Sequence, residues 1–568
     1  NVAAQDGDLV VIEILPARRQ GMTQARIVEN IGAGDAPGAI SRIAIHRAGI
    51  PDRFPDAVVA DAGKAQPPLL GDRVDLRDLP LVTIDGADAR DFDDALYAKK
   101  RFRGWTLWVA IADVSAYVKP GTALDVEAHA RGNSVYFPRQ VIPMLPEKLS
   151  NGLCSLNPDV ERLCMVCEMK VGSDGEVSGA KFYPAVMRSH ARLIYEQVAD
   201  GLADPKGEAG AVLGEQLKDL QVLGNCFEAL FAARTRRGAI DFEGSETRIV
   251  FSDERKIEAI VPVKRTRAHR MVEECMIAAN VEAAKFVESK KSPALYRIHQ
   301  RPDPAKITAL RDILAARGVA LGGGSEPTAL DYAEMLAQTR ERDDAPVLQM
   351  LMLRSLMQAK YDPSNDGHFG LALTHYAHFT SPIRRYPDLI LHRAIKHALQ
   401  PRRDAGRPVY SEAELAAAGT HCSMTERRAD EATRDVANWL KCEFMQNRVG
   451  EVFSGRVASV ASFGLFVALD GLFIDGLVHV SGLKNDYYEF DATRQRLVGS
   501  RGNHVYALGQ AVQVRVVRVG LDERKIDLEL VDAKGSEAVQ SRGSQSRQAK
   551  KGSAAPSGAK RSTPEAAG

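Results

Sequence analysis

The chain has 568 residues, 45% hydrophobic and 26% charged, with Lys+Arg 75 against Asp+Glu 74 for a formal net charge of +1. That length calls for about three to five domains, and the composition excludes a wholly disordered, collagen-like or fibrous chain. Near-neutrality of the whole names no partner, so a nucleic-acid surface would have to come from how charge is distributed.

The first residue is Asn rather than Met, and no charged-then-apolar signal segment follows it, which reads as a fragment beginning inside a longer protein. No run of about 18 apolar residues suggests a membrane span. Asp8–Ile14 and Ala25–Glu29 are strand-like. They fit a small β-barrel over the first 65 or so residues, or a generic α/β piece.

The most informative stretch runs from Leu79 to Tyr97. An apolar strand, Leu81–Ile84, delivers Asp85; a short glycine-containing loop follows, and a second strand is predicted to begin with Asp91, Asp93 and Asp94. Asp85, Asp91 and Asp93 share parity and would share a face, whereas Asp94 would point elsewhere unless the strand start is bulged. Close carboxylate pairs cost roughly 1 kcal/mol at 4 Å in water and about 4 kcal/mol at an effective dielectric of 20. Four beside apolar strands therefore call for proton uptake or a hard divalent cation such as Mg²⁺ or Mn²⁺. Paired metals held by carboxylates suit phosphodiester cleavage. The spacing does not fit an EF-hand loop, and a solvated acidic turn is the ordinary alternative.

Seven scattered cysteines form no disulfide framework and favour a reducing, cytosolic compartment. Cys164-Met-Val-Cys167 reads as apolar strand or core rather than a redox or zinc motif. Strands dominate to about residue 190. Helical segments follow, among them Val347–Ala359 and the stretch around Glu426–Phe444. Arg384 and Arg385 follow Ser381-Pro382; guanidinium is always charged and binds phosphate in bidentate fashion, although paired surface arginines are also common. Pro387 is unsuited to a helix interior and places them in a turn or near a helix end. The spacing of His368, His375, His378 and His392 fits no zinc pattern, so they read as structural. No Walker-type phosphate loop is present.

Five short strands are predicted over 449–532: Val449–Ser459, Phe463–Leu469, Phe473–Val480, Ala511–Val519 and Lys525–Leu530. With their glycine turns they suggest a small barrel. Its aromatics serve as core, or, on an exposed face, as stacking platforms for bases. From Ala538 onward the chain is Ser, Gly, Ala, Gln, Pro and basic residues, six of them against Glu565 alone for a local charge of +5. That is a disordered tail, either solubilising or scanning polyanions.

Several segments carry a family resemblance. Thr83-Ile-Asp-Gly-Ala-Asp-Ala-Arg-Asp-Phe-Asp-Asp94 is similar to the signature of the RNB exoribonucleases, the ribonuclease II / ribonuclease R family. Ser134-Val-Tyr-Phe-Pro138, Ser150–Asn157, His269–Glu274 and His378–Asp388 match in order. Gly455–Leu469 with Asp475–Ser481 resembles an S1 domain. The basic tail and the wording of Arg427–Leu440 resemble the ribonuclease R branch. The N-terminal region is shorter than in that family, where a helix-turn-helix and another cold-shock barrel usually precede. The resemblance implies an α+β multidomain chain: a cold-shock-like OB barrel, whole or partial, over 1–65; a mixed α/β RNB catalytic domain over 66–447; an S1 OB barrel over 448–532; and a disordered basic tail over 533–568.

It also implies site residues. Asp85, Asp91, Asp93 and Asp94 match metal-binding and water-orienting positions, with Asp93 at the most activity-critical one. Arg384 matches the phosphate-contacting residue, with Arg385 beside it. Tyr136 and Phe242 match positions that clamp terminal bases, and Phe463, Phe466 and His479 match S1 binding aromatics. The implied activity is processive, Mg²⁺-dependent (or Mn²⁺-dependent) 3′→5′ hydrolysis of single-stranded and structured RNA to nucleoside 5′-monophosphates, in the cytoplasm. The implied partner is RNA with a free 3′ end, with the ribosome or RNA-decay factors as further partners, no membrane, and a monomeric state. A non-catalytic RNA-binding regulator on an RNB scaffold is the alternative, and a DNA-directed nuclease stands third.

Overall fold

A computed structural model of the chain describes residues 2–15, 24–34, 38–242, 247–252, 257–342, 344–401, 406–483, 486–492, 494–501 and 504–531. The tail expected from residue 533 lies outside the described residues.

The centre is a seven-stranded sheet in the order Ala191–Ile194, Val82–Asp85, Asp94–Arg101, Gly104–Ala112, Glu161–Gly172, Val177–Arg188, Val74–Leu76, antiparallel inside and parallel at both edges. Its middle strands are apolar at nearly every position because both faces are covered. One face packs Leu96, Leu107, Val109 and Cys167 against the helices Gln216–Arg237 and Arg267–Ser289. The other packs Leu81, Ala110, Cys164 and Val166 with Leu145, Ile383 and Leu389. Cys164 and Cys167 thus belong to opposite cores. All seven cysteines are buried and free, as expected of core residues.

A two-stranded antiparallel sheet, Asp8–Ile14 with Ala25–Ala33, and the helix Ala39–Ala48 are described near the N-terminus. The C-terminal strands close into a barrel in the order Val452–Ala461, Gly464–Leu469, Ile474–His479, Lys525–Leu530, Ala511–Gly520. All five were expected, with ends shifted by a few residues. A small meander, Tyr488–Asp491, Arg496–Gly499 and Val505–Ala507, was not anticipated. The predicted helix around 426–444 is part of one 35-residue helix, Glu412–Gln446, begun by a Ser411–Glu414 capping box. At 1.5 Å per residue it runs roughly 50 Å. Along it, Ala429, Ala432, Val436 and Leu440 pack with Ile40, Ala44 and Ile45 of the N-terminal helix. Further on, Met445 joins the barrel core, Lys441 Nζ donates to the Phe473 carbonyl (2.8 Å) and Asp435 pairs with Arg524 (2.9 Å). No helix among the described residues is long and apolar enough to cross a membrane.

Candidate active site

Asp85 ends the strand Val82–Asp85, and Asp94 opens its antiparallel neighbour. Asp91 and Asp93 lie in the connection, not on a strand, so parity does not govern where they point. The connection is fastened by Ser155, whose Oγ accepts from the Phe92 N–H (3.0 Å) and donates to the Arg90 carbonyl (2.8 Å). The Leu156 N–H donates to the Phe92 carbonyl (3.0 Å). The Ser150–Asn157 segment, buried at Ser150 and Cys154–Leu156, thus shapes the acidic loop.

The four carboxylates divide by partner. Asp93 is buried, with the Ile383 N–H donating to Oδ1 at 2.9 Å and Arg384 Nε to Oδ2 at 3.2 Å. Asp91 accepts from the Tyr136 hydroxyl at 2.7 Å. Asp85 Oδ2 is buried with no hydrogen-bond partner. Asp94, expected to point away, still feels Asp85 as its largest charged influence.

Burial raises the Asp85 carboxyl to about 6, against the opposing pull of Arg384. Burial raises Asp93 to about 8 despite its two donors. It raises Asp94 well above the carboxylate range, helped by Asp85 and Asp93. These are groups whose ionised form needs a nearby positive charge. Among the described residues no three carboxylate, imidazole or thiol groups form a ready-made metal cage. The orphaned Asp85 oxygen and its coupling to Asp94 still fit a hard divalent ion of the kind that takes one or two carboxylates and completes its shell with water and substrate phosphate.

Arg384 and Arg385 precede the helix Tyr386–Leu399, with Pro387 in its first turn, where a missing N–H costs nothing. Arg384 is 43% exposed and donates to Ser381 Oγ (2.9 Å) as well as to Asp93. Arg385 is turned inward, its NH2 donating to Asp388 Oδ1 (2.8 Å), which also accepts from the Ser381 N–H (2.8 Å). Asp388 is fully buried. Sequence reasoning passed over it, although its i,i+3 spacing from Arg385 was a usable signal.

Both arginines line a cavity of about 240 Å³ with Asn133–Tyr136, Tyr361 and one stripe of the long helix, Cys422, Glu426, Ala429, Asp430 and Thr433. A wider groove of about 1060 Å³ shares Tyr136, Asp430 and Thr433 and is walled by Arg139, Arg248, Arg434 and Lys441. The Tyr136 ring is 44% exposed at this junction. Phe242 is half-buried against the core around Ile240 and Leu310, and no ring contact joins it to Tyr136 among the described residues. Tyr195, also unanticipated, stacks on His269 (3.8 Å between centroids), and its phenol is raised by burial and then by Asp94 and Asp85.

The histidines have ordinary partners. His368 accepts from the Leu371 N–H, and His375 contacts Glu288. His378 contacts the Tyr361 hydroxyl, and His392 Nε2 the Phe379 carbonyl. On the barrel, Gly464 lies opposite His479, and Phe466 two residues on shares their face. Phe463 is 48% exposed and edge-on to Phe466 at 5.9 Å. These three side chains form one outer patch.

Comparison with known proteins gives three family matches: the RNB domain over residues 73–401, the S1 RNA binding domain over 446–530 and the Cold shock domain over 1–55. The chain is 53% identical over 578 residues to Ribonuclease R of Escherichia coli (strain K12), an alignment spanning 99% of this chain and 70% of that protein. It is 39% identical over 544 residues to Ribonuclease R of Thermotoga maritima, spanning 93% and 76%. The fold superposes on RNase R of Mycoplasma genitalium in complex with ribose methylated single-stranded RNA with a TM-score of 0.84 at 29% identity, covering 90% of this chain and 80% of that one. It also resembles yeast Ssd1, a pseudonuclease, at a TM-score of 0.68 and 20% identity, covering 86% and 62%; that is a likeness of fold alone.

Proposed function

The chain belongs to the RNB family of exoribonucleases, and from that premise we propose that it degrades RNA from the 3′ end, hydrolysing it processively to nucleoside 5′-monophosphates. The observation that carries this reading is the meeting of buried Asp93 and half-buried Asp85 and Asp94, all raised above the usual carboxylate range, with a half-open arginine that lines a cavity.

Family members are hydrolases that usually need a divalent metal. Here we assign Mg²⁺, with Mn²⁺ able to substitute, to Asp85 and Asp94 with Asp91 beside them. When bound, the ion supplies an activated water and neutralises phosphate charge. The chain's own residues do the rest. Arg384 presents fixed positive charge where the phosphorane oxygens gain negative charge. Asp93 and Ser381 hold that guanidinium in place, and Asp388 holds Ser381 and Arg385. Tyr136, tethered to Asp91, offers a stacking face beside the metal-side carboxylates, with Phe242 as the second base contact. The patch of Phe463, Phe466 and His479 binds upstream bases, each stack worth roughly 1–3 kcal/mol. We place the domain limits after residues 65, 447 and 532 and read the protein as a cytoplasmic monomer. The ribosome or RNA-decay factors as further partners rest on the family resemblance alone.

The test incubates 5′-labelled RNA and matched DNA with the protein in Mg²⁺, in EDTA, and with Asp93→Asn protein. The expected result is conversion of full-length RNA to a short 5′-labelled end product, with no ladder of intermediates, only for wild type in Mg²⁺. Intact RNA in that lane overturns the reading in favour of an RNA-binding regulator. Equal loss of DNA removes the RNA specificity.

A further inference from the structure

The strand that opens with Asp94 ends in a hairpin whose tip has no part in the chemistry above. Lys99, Lys100, Arg101 and Arg103 put four cations in five positions, and the fifth, Phe102, is 97% exposed. Phe102 and Arg103 form the two-residue turn between Asp94–Arg101 and Gly104–Ala112. Gly104 is required there, because a Cβ would lie 2.0 Å from the Val171 carbonyl oxygen of the next strand. The tip is therefore a rigid end of the central sheet.

The cations are arranged by the pleat. Lys99 lies across from Thr106, and Thr106 from Lys170, so both lysines stand on one face with Arg101, which donates to Thr106 Oγ1 at 3.2 Å. Lys100 lies over the Trp105 ring (3.9 Å) on the other face, and Arg103 sits 5.9 Å from the Phe102 ring. The neighbouring turn carries Asp174 and Glu176, and the strand beside it Glu168. Among the described residues none of these acids comes within ion-pair distance of a tip cation. A bare phenyl at a hairpin tip costs exposed apolar surface, and unneutralised cations repel one another. Both penalties turn into gains against a polyanion with stacking faces.

We propose that this tip is a second RNA contact, which holds the phosphate backbone of a distal segment of the same RNA whose 3′ end is being degraded. The proposal rests on the RNA-degrading function above. Seven residue steps of strand separate Arg101 from Asp94, about 24 Å at 3.4 Å per step, so the tip engages RNA that is not in the cavity. Linkage through one chain would raise the local concentration of RNA at the cavity without touching the chemical step.

The test compares the full chain with K99Q/R101Q/R103Q and, separately, Phe102→Ser. Both sets of substitutions lie on exposed positions of the turn and the strand end. The probes are a short 3′ oligonucleotide and a long RNA with the same 3′ sequence, with binding read in EDTA and degradation in Mg²⁺. Expected for the triple variant is unchanged cleavage of the short oligonucleotide but about tenfold weaker binding of the long RNA, with the slope of log K against log salt reduced by about 2. A photoreactive phenylalanine analogue at position 102 should crosslink to the long RNA. Equal affinity and slope for wild type and triple variant, with no crosslink, overturns the proposal. So does loss of binding to anionic vesicles with RNA binding intact, which would make the tip a membrane contact. Failure of wild type to cleave the short oligonucleotide falls instead on the proposed function.

Discussion

Arg384 Nε lies 3.2 Å from the Asp93 carboxylate across 291 positions of sequence, and the Ile383 N–H meets the same carboxylate from the adjacent residue. The acidic loop and the arginine loop are therefore one unit. Removing the guanidinium should cost the transition state more than the bound state. Arg384→Ala is expected to lower the single-turnover cleavage rate by about 10²–10³-fold, with RNA affinity in EDTA nearly unchanged. Arg384→Lys should recover only part, because an ammonium cannot keep the Asp93 and Ser381 contacts together. Rapid-quench kinetics checks this, and equal loss of rate and affinity would contradict it.

Asp94 illustrates the opposition between stability and function. It is half-buried, and desolvation followed by the charges of Asp85 and Asp93 makes its ionised form unfavourable without a cation. Asp94→Asn should abolish cleavage yet stabilise the metal-free protein by an amount of order 1 kcal/mol, the scale of one relieved like-charge pair. Added Mg²⁺ should raise the wild-type melting temperature more than the variant's, since only the form that binds ligand gains. Thermal denaturation in EDTA and in Mg²⁺ reads both effects.

A structural carboxylate sets the acid limit. Asp113 is fully buried; burial opposes its ionisation, but Lys396 (2.6 Å) and Arg73 (2.7 Å) outweigh that and hold its carboxyl well below the usual range. A lowered folded-state pKa stabilises above the unfolded value of about 3.9 and is lost as pH falls through the folded one. Stability should therefore decline from about pH 5 downward. Asp113→Asn should flatten that decline and cost about 3 kcal/mol at neutral pH by leaving two half-buried cations without their carboxylate. Denaturant midpoints measured from pH 7 to pH 3 check the sign.

Gly132 controls how closely the long helix approaches the cavity. Its φ is 73°, and a Cβ there would lie 2.1 Å from Thr425 Oγ1, while its carbonyl accepts from the Tyr386 N–H (2.9 Å). Gly132→Ala should destabilise the protein by about 2 kcal/mol or more, from left-handed strain and overpacking together. Gly132→Ala combined with Thr425→Gly should recover part of that loss. Chemical denaturation of the single and double variants measures it.

What could be read without coordinates follows from local physics. The barrel strands announced themselves by alternation and glycine turns, and Pro387 correctly put the arginines ahead of a helix. The meander between Tyr488 and Ala507 was missed because strands of three or four residues carry too little pattern. Asp91 and Asp93 imitate a strand in Asp-Phe-Asp, but Ser155, more than 60 positions away, holds them in a loop. Only tertiary structure reveals that fastening. The tether from Tyr136 to Asp91 is invisible for the same reason. The cavity stripe of Cys422, Glu426, Ala429 and Thr433 had helical spacing on the page, but nothing local distinguished a wet stripe from a buried one.

The helix Glu412–Gln446 touches the catalytic cavity, the N-terminal helix and the S1 barrel in overlapping succession, so its length is quantised. One residue inserted between Thr433 and Lys441 would turn everything beyond it by about 100° and advance it by about 1.5 Å. The barrel, with its aromatic patch, would then be turned by that angle relative to the groove. A loop can change length without this consequence, but this segment keeps its contacts only through steps that restore the helical phase.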